Sequence, residues 1–383
     1  MDIPTFEEIF QQIKINFWLV GLPFGKSNVT KTYYILLFNI ILAFVEEMGF
    51  FVSQFSVENF LELTQLAPCT CIGLLSFLKI IFIAKKKENI YGLTQHLREL
   101  YNKALSDSTK KELIKQDFIF LKYLVKYFFI LNAILICVYN FSSLVLIAYY
   151  YYTKRTIFYI LPYAMLIPFS TNHWYSWLIV YLHSLASGFV CVIYFTTVDA
   201  LYYIMTSHIC AQFSLLSEEI KGLDADTSYK LSDIVKRHQY ILKLSQNLEE
   251  IFRAPNLFNV LVGSIEICAL GFNLTMGPWS QVPGVVLFLL SVLVQILMIS
   301  VFGEHLIRES RKVGESAFLC KWYDMDRKSK KIILLLMSNK PQKLTAYKFS
   351  VISYESFTKI ISTSWSYFTI LKTMYTPPDK SGA

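Results

Sequence analysis

The sequence predicts an all-α, polytopic membrane protein with seven transmembrane helices, and three observations carry that prediction. The chain is 54% hydrophobic and only 17% charged over its 383 residues, too apolar for an ordinary soluble fold. Six windows nearly free of charge, residues 33–51, 66–84, 127–149, 177–205, 258–276 and 285–302, are each long enough to cross a bilayer at helical rise. Lys and Arg, finally, are confined almost wholly to alternate connecting segments.

Residues 1–32 open with acids and show no small-residue cleavage site, so no signal peptide is expected. Phe6, Ile9, Phe10, Ile13 and Phe17 recur at helical spacing. They predict an amphipathic helix, lying in the membrane interface or packed on the protein's own inner face. Residues 33–205 hold spans one to four. Residues 206–256 are too long for a turn and carry two helical patterns: Ile209, Phe213, Leu216 and Ile220, then Ile234, Ile241, Leu244, Leu248 and Ile251 near heptad spacing. Pro255 marks a kink or a join before spans five and six, in 257–302. Residues 303–348 contain one apolar core too short to span, ended by Asn339 and Pro341. Spans four to six are therefore expected to extend into a cytoplasmic anchor bundle. Residues 349–375 form the seventh span, with ten Ser and Thr between 348 and 375, and 376–383 an extracellular tail. A lipid-facing helix gains nothing from those hydroxyls, whereas a helix lining water uses them.

Thirty of the 36 Lys and Arg lie on the side of the N-terminus, and only Lys154, Arg155, Lys372 and Lys380 on the other. The positive-inside rule places the N-terminus in the cytoplasm and, with seven spans, the C-terminus outside. That is the reverse of a G-protein-coupled receptor, whose Asp-Arg-Tyr and Asn-Pro-x-x-Tyr landmarks are also missing. The net charge of +8 is a topology signal, and no nucleic-acid partner is expected. Seven Cys, several inside apolar helices, imply neither a disulfide framework nor a metal site. No cofactor is expected. An enzyme is disfavoured: there is no His/Asp/Glu box, nucleophile elbow or Gly-rich phosphate loop. Lys79, Asp199 and Glu266 are intramembrane charges, costly to bury unless paired; a structural pair or a snorkelled lysine accounts for Lys79 and Asp199 as well as ion handling does.

The C-terminal third, "FGEHLIRESRKVGESAFLCKWYDMDRKSKKIILLLMSNKPQKL" onward, resembles the insect odorant receptors through Phe302-Gly303, Glu309-Ser310, Trp322-Tyr323, Pro341 and the closing Ser366-Tyr367-Phe368. Pro162, Pro168, Tyr181, Asp199, His208 and "RHQYILKLSQNLEEIF" extend the likeness through the middle of the chain. The closing residues are similar to the odorant-specific subunits, and the long insertion of the shared co-receptor before span five is absent. The resemblance implies a tetrameric, non-selective cation channel in the plasma membrane of a sensory dendrite. Its partners are co-receptor subunits in a heterotetramer, a small volatile organic ligand and the lipid bilayer. A gustatory-type receptor channel acting as a homotetramer is the alternative, and a polytopic membrane enzyme a remoter one.

In such a channel the last helix lines the pore. Ser362, Ser366, Ile370 and Met374 share one face of it, with Thr363 and Thr373 beside them. The family's gate maps to Ile370 and Met374, two apolar rings that close a pore by dewetting. The pocket implied in the outer half is greasy with few polar groups. Its candidates are Cys71 and Leu74 on span two, Tyr139, Ser142, Ser143 and Leu146 on span three, Tyr181 and Leu185 on span four, and Phe272 and Phe288 on spans five and six. Tyr139 with Ser142 and Ser143 is expected to orient a polar ligand group.

Overall fold

The computed structural model describes residues 2–25, 28–55, 60–277, 279 and 282–374. Ten α-helices account for most of them: α1 (Phe6–Leu19), α2 (Lys31–Ser53), α3 (Phe60–Lys85), α4 (Lys87–Leu105), α5 (Ser108–Lys154), α6 (Trp174–Lys221), α7 (Leu231–Met276), α8 (Val282–Leu319), α9 (Arg327–Met337) and α10 (Tyr354–Met374). A short hairpin of β1 (Thr345–Ala346) and β2 (Ser350–Val351) precedes α10. Helices α2, α3, α5, α6, α7 and α8 are long and apolar enough to cross a membrane. At 21 residues α10 is also long enough, but far more polar.

Helix starts follow the sequence chemistry. Asp107 caps α5 by accepting from the amides of Thr109 (3.0 Å) and Lys110 (3.4 Å), and Asp326 caps α9 through Lys328 (2.9 Å) and Ser329 (3.3 Å). The central element is α6, buried on all sides from residue 194 to 206. A helix apolar around its whole circumference needs neighbours on every side, and α1, α5, α7 and α8 supply them.

Three expectations change. α5 begins at Ser108, so the third span also continues into the basic end of the bundle, beside spans four to six. α7 runs unbroken through Pro255, whose missing amide removes one rung of the ladder without ending the helix. The last helix starts at Tyr354, because the residues before it turn through the hairpin with Tyr347 and Lys348 left-handed (φ 49° and 62°). Gly303 has a reason here: a Cβ on it would strike the Ile352 carbonyl as the chain leaves the hairpin. Ser310 of α8 accepts from the Gln342 amide (2.9 Å), and Thr345 donates to Glu249 of α7 (2.7 Å), so residues of both helices within the resembling stretches seat this connection.

α1 packs its apolar stripe on α4 and α6, burying Phe6, Ile9, Phe10, Ile13 and Phe17. Each Phe contributes about 1.5–3 kcal/mol on burial. Asn16 on that stripe donates to the Thr197 hydroxyl (2.8 Å), and Tyr101 donates to the Pro4 carbonyl (2.7 Å). Of the two placements open to α1, its apolar stripe takes the protein's own surface. Trp18 and Leu19 remain exposed on the other side.

In mid-bundle the Lys79 ammonium on α3 lies 2.7 and 2.9 Å from the two Asp199 oxygens on α6. Gln295 on α8 donates to the same carboxylate (2.8 Å), and the ammonium stands 4.1 Å from the centre of the Phe195 ring. Both charges are almost fully enclosed, at 0% and 2% exposure. Removing one partner strands the other in a dry interior. Lys79→Met and Asp199→Leu are each expected to destabilise the detergent-solubilised protein by about 3–5 kcal/mol in thermal unfolding, and the double replacement to recover most of that loss. Additive losses in the double variant would show that the pair is not a unit.

Candidate functional site

α2, α3, α5, α6 and α8 surround a cavity of about 190 Å³ on the side of the ion pair away from the basic end. Its wall is mainly aliphatic and aromatic, with Ile40, Phe44, Ile72, Leu135, Phe195, Leu287 and Phe288 among its residues. The segment joining α5 to α6 folds back over it and contributes Tyr163 and Met165. Tyr163 donates to Asn140 Oδ1 (2.7 Å) and stacks on Tyr139 at 5.5 Å. Gly188 makes that arrangement possible, since a Cβ there would collide with the Tyr163 hydroxyl and stand 3.0 Å from Asn140 Oδ1. The Leu166 amide donates to the Glu46 carbonyl (3.0 Å) and Trp177 Nε1 to the Ile160 carbonyl (3.1 Å), which fix the same segment to α2 and α6.

Polar groups on the wall are few. Tyr139 Oη is 2.9 Å from Cys69 Sγ. Ser187 donates to Asn39 (2.8 Å), whose amide nitrogen meets His183 Nδ1 (2.8 Å) while His183 Nε2 meets Glu46 (3.1 Å). Glu47 reaches the wall from α2, over Gly73. Glu266 is the one side chain that α7 brings to it among the described residues, and Gln295 of the ion-pair cluster lies at its base. A second cavity of about 340 Å³, nearer the basic end, is lined by Asp117, Glu304, His305, Arg308 and Glu309. Its charged wall suits a small apolar molecule poorly. Among the described residues no His, Cys, Asp or Glu cluster could hold a metal ion.

Of the sequence-predicted pocket residues, Tyr139 and Phe288 line the first cavity. Ser143 and Tyr181 lie buried just beyond it, both hydroxyls donating to the Asn140 carbonyl (3.4 and 3.2 Å). Cys71 packs with Leu75, Phe195 and Val262, and Leu74 and Leu185 are half-buried off the wall. Ser142 and Leu146 face outward, Ser142 bonding the Tyr139 carbonyl of its own helix (2.7 Å). Phe272 sits in a cluster with Cys268 and Phe368, between α7 and α10. Sequence reasoning missed Tyr163, Met165, Glu47 and the wall position of Glu266; the length of the segment between α5 and α6 was the available signal for the first two.

α10 has two faces. Ser356, Ile360, Ser364 and Phe368, four residues apart, are buried. Ser364 donates to the Ser264 carbonyl of α7 (3.1 Å), Ile360 packs with Leu270, Val292 and Ile296, and the Phe368 ring faces Gly271, where an added Cβ would stand 3.7 Å from it. The opposite face leaves Ser362, Thr363, Ser366, Ile370, Thr373 and Met374 exposed, Ile370 at 51% and Met374 at 76%. Tyr375 and the tail after it lie outside the described residues. On α7, Ser264 and Gly271 point half a turn away from Glu266, so this helix stands between the cavity and α10, together with α8, whose Val292 both lines the cavity and packs with Ile360.

Residues 59–365 match the family model described as 7tm Odorant receptor. The chain is 26% identical to Odorant receptor 85b of Drosophila melanogaster over 373 residues, which is 92% of this chain and 94% of that receptor. It is 29% identical to Odorant receptor 13a of the same fly over 245 residues, spanning 57% of this chain and 59% of the relative. The insect olfactory receptor OR5 from Machilis hrabei shares the fold, with a TM-score of 0.80 at 14% identity over 96% of this chain and 100% of that one. The same receptor solved in complex with eugenol gives 0.77.

The lid contact gives a direct test. Gly188→Val is expected to push Tyr163 from Asn140 and lower stability by about 1–3 kcal/mol, and Tyr163→Phe, which deletes one hydrogen bond, by about 0.5–1.5 kcal/mol. Thermal unfolding with no difference between the two variants and the parent would show that the segment does not close the cavity in solution.

Proposed function

Because this chain belongs to the 7tm odorant receptor family, a receptor of the multi-pass membrane kind and not an enzyme, we propose that it is the odorant-tuning subunit of a ligand-gated, non-selective cation channel. In this reading a small volatile, mostly apolar molecule occupies the cavity under Tyr163. The basic end of the bundle stands in the cytoplasm as the subunit anchor, and the exposed face of α10 lines the pore in a heterotetramer with co-receptor subunits.

The observation that carries the reading is the position of α7. It presents Glu266 to the cavity on one side and holds α10 through Ser264, Gly271 and Phe272 on the other. A ligand that displaces this wall moves the helix on which the pore face depends. That face fits a water-lined role. Ser366, Thr369 and Thr373 donate to carbonyls of their own helix at 2.8–3.0 Å, which leaves their oxygens free to hydrate passing ions. Four copies of Ile370 and Met374 around an axis supply the apolar constriction. Tyr139 and Phe288 shape the ligand site directly, while Ser143 and Tyr181 act by positioning Asn140 and hence Tyr163.

Two measurements decide it. Cells expressing the chain with a co-receptor are expected to pass odorant-evoked cation current, and cells expressing the chain alone to pass none; current from the chain alone would remove the heteromer. Ile370→Ala with Met374→Ala is expected to raise ligand-independent leak and alter relative cation permeability. Unchanged leak, conductance and ion preference would move the constriction elsewhere.

A further inference from the structure

The wall of the cavity under Tyr163 is chemically lopsided. Its oxygen- and nitrogen-bearing side chains have mostly committed their hydrogens: Tyr163 to Asn140, Ser187 to Asn39, Ser291 to the Phe288 carbonyl (2.7 Å), Asn132 to the Phe128 carbonyl (2.8 Å), and Gln295 to Asp199. Tyr139 is paired with Cys69, and the Thr70 hydroxyl bonds Glu47. Glu266 is different. It is 1% exposed, lines the cavity, and its Oε1 has no hydrogen-bond partner among the described residues. Lys79 acts on it electrostatically but places its ammonium between the two oxygens of Asp199.

A buried carboxyl oxygen left unbonded keeps its desolvation cost with nothing to offset it. Water or a ligand can relieve that, and the apolar surroundings leave room for a short hydrocarbon chain beyond the bonding point. We propose that this cavity selects small apolar molecules ending in a single N–H or O–H donor, short-chain amines or alcohols, and that Glu266 takes the donor. This deepens the receptor reading and rests on the same cavity. The selection works by contrast with the ionised carboxyl, which only accepts: an ether of equal size fills the space but leaves it unbonded, and a site built around an unpaired polar group rejects a ligand that cannot pair it. Between the two donor classes the alcohol needs only an acceptor, whereas an ammonium also gains from the carboxylate charge.

The test uses hexylamine, hexan-1-ol and methyl pentyl ether, molecules of matched size, with the full chain purified in detergent and binding read from ligand-dependent thermal stability. Both donors are expected to bind about tenfold or more tighter than the ether. Glu266→Leu is expected to erase that preference while ether affinity changes less than about threefold, which also reports that the variant is folded. The near-isosteric Glu266→Gln is expected to cost hexylamine about tenfold and hexan-1-ol less than about threefold. Equal affinities for the three probes, no binding of either donor, or hexylamine affinity unchanged in Glu266→Gln would each overturn the assignment. Current recordings with the co-receptor separate the two levels. Donor-selective binding without any evoked current would sink the channel reading and leave the site standing, whereas current evoked equally by all three probes would sink the site alone.

Discussion

The bundle is organised around one buried charge cluster. Lys79, Asp199 and Gln295 come from α3, α6 and α8, and each is enclosed to the point where water cannot solvate it. In an apolar medium that cluster leaves little freedom of register, because a slide of one helix by a single residue parts an ammonium from its carboxylate with nothing to replace it. Weaker ties then follow the same register. Ser76 donates to the Cys191 carbonyl (3.2 Å), Tyr202 to the Ile299 carbonyl (3.3 Å), and Thr64 and Asn273 exchange two bonds (2.8 and 2.7 Å) between α3 and α7. Lipid chains compete with side chains for apolar contact, so such polar links and close-packed small residues are what specify which helix faces meet. Gly263 is one such residue, with a Cβ there only 2.5 Å from Ile296 Cδ1.

The same cluster divides the molecule. Toward the basic end, α6 is sealed by α1, α4, α5, α7 and α8, and its core is dense with aromatic rings, with His208 held among Phe6, Tyr101 and Phe118 at 4.6–5.0 Å. Away from it the helices leave the cavity open, roofed by a non-helical segment. A more polar cavity lies on the basic side as well, between α5, α6 and α8; the apolar one has walls that can shift without parting the charge cluster.

How much of this the sequence revealed depended on whether chemistry or packing decided the outcome. Span positions were legible because a charge-free run leaves few alternatives, and the inner helices because their apolar positions repeat against a polar background. The reach of α5 was hidden, since Ser108 to Lys126 carries so many Lys that it resembles a solvated connection; its apolar stripe, Ile114, Phe118, Leu121 and Val125, is narrow. Cavity residues were harder for a different reason. A membrane helix is apolar on its lipid, core and cavity faces alike, so periodicity could not separate Phe288 on the wall from Phe272 between helices, or Ser143 inside from Ser142 outside. A pair of Asp199 with Lys79 was one of the readings open, because isolated charges there need partners, and the structure decides for it over a snorkelled lysine; Glu266, equally buried, gave no sign of which face it chose.

The polarity of the closing helix acquires its meaning from what it does not touch. Its hydroxyls close on their own backbone, so the exposed face demands no protein partner and tolerates either lipid or water. Its hold on the rest of the molecule is correspondingly narrow: one hydroxyl-to-carbonyl bond at Ser364, a ring at Phe368 seated over Gly271, and Ile360 in a small cluster with α7 and α8. The Ser364 bond and the packed Phe368 ring pass displacement of α7 on to α10. The coupling between cavity and α10 therefore runs through α7, with a carboxyl on one face and a glycine on the other, and through α8, whose Val292 lines the cavity and packs with Ile360. An unpaired group at Glu266 and the Phe368 ring facing Gly271 are two ends of the same lever, separated by little more than one turn along α7 and about half a turn around it.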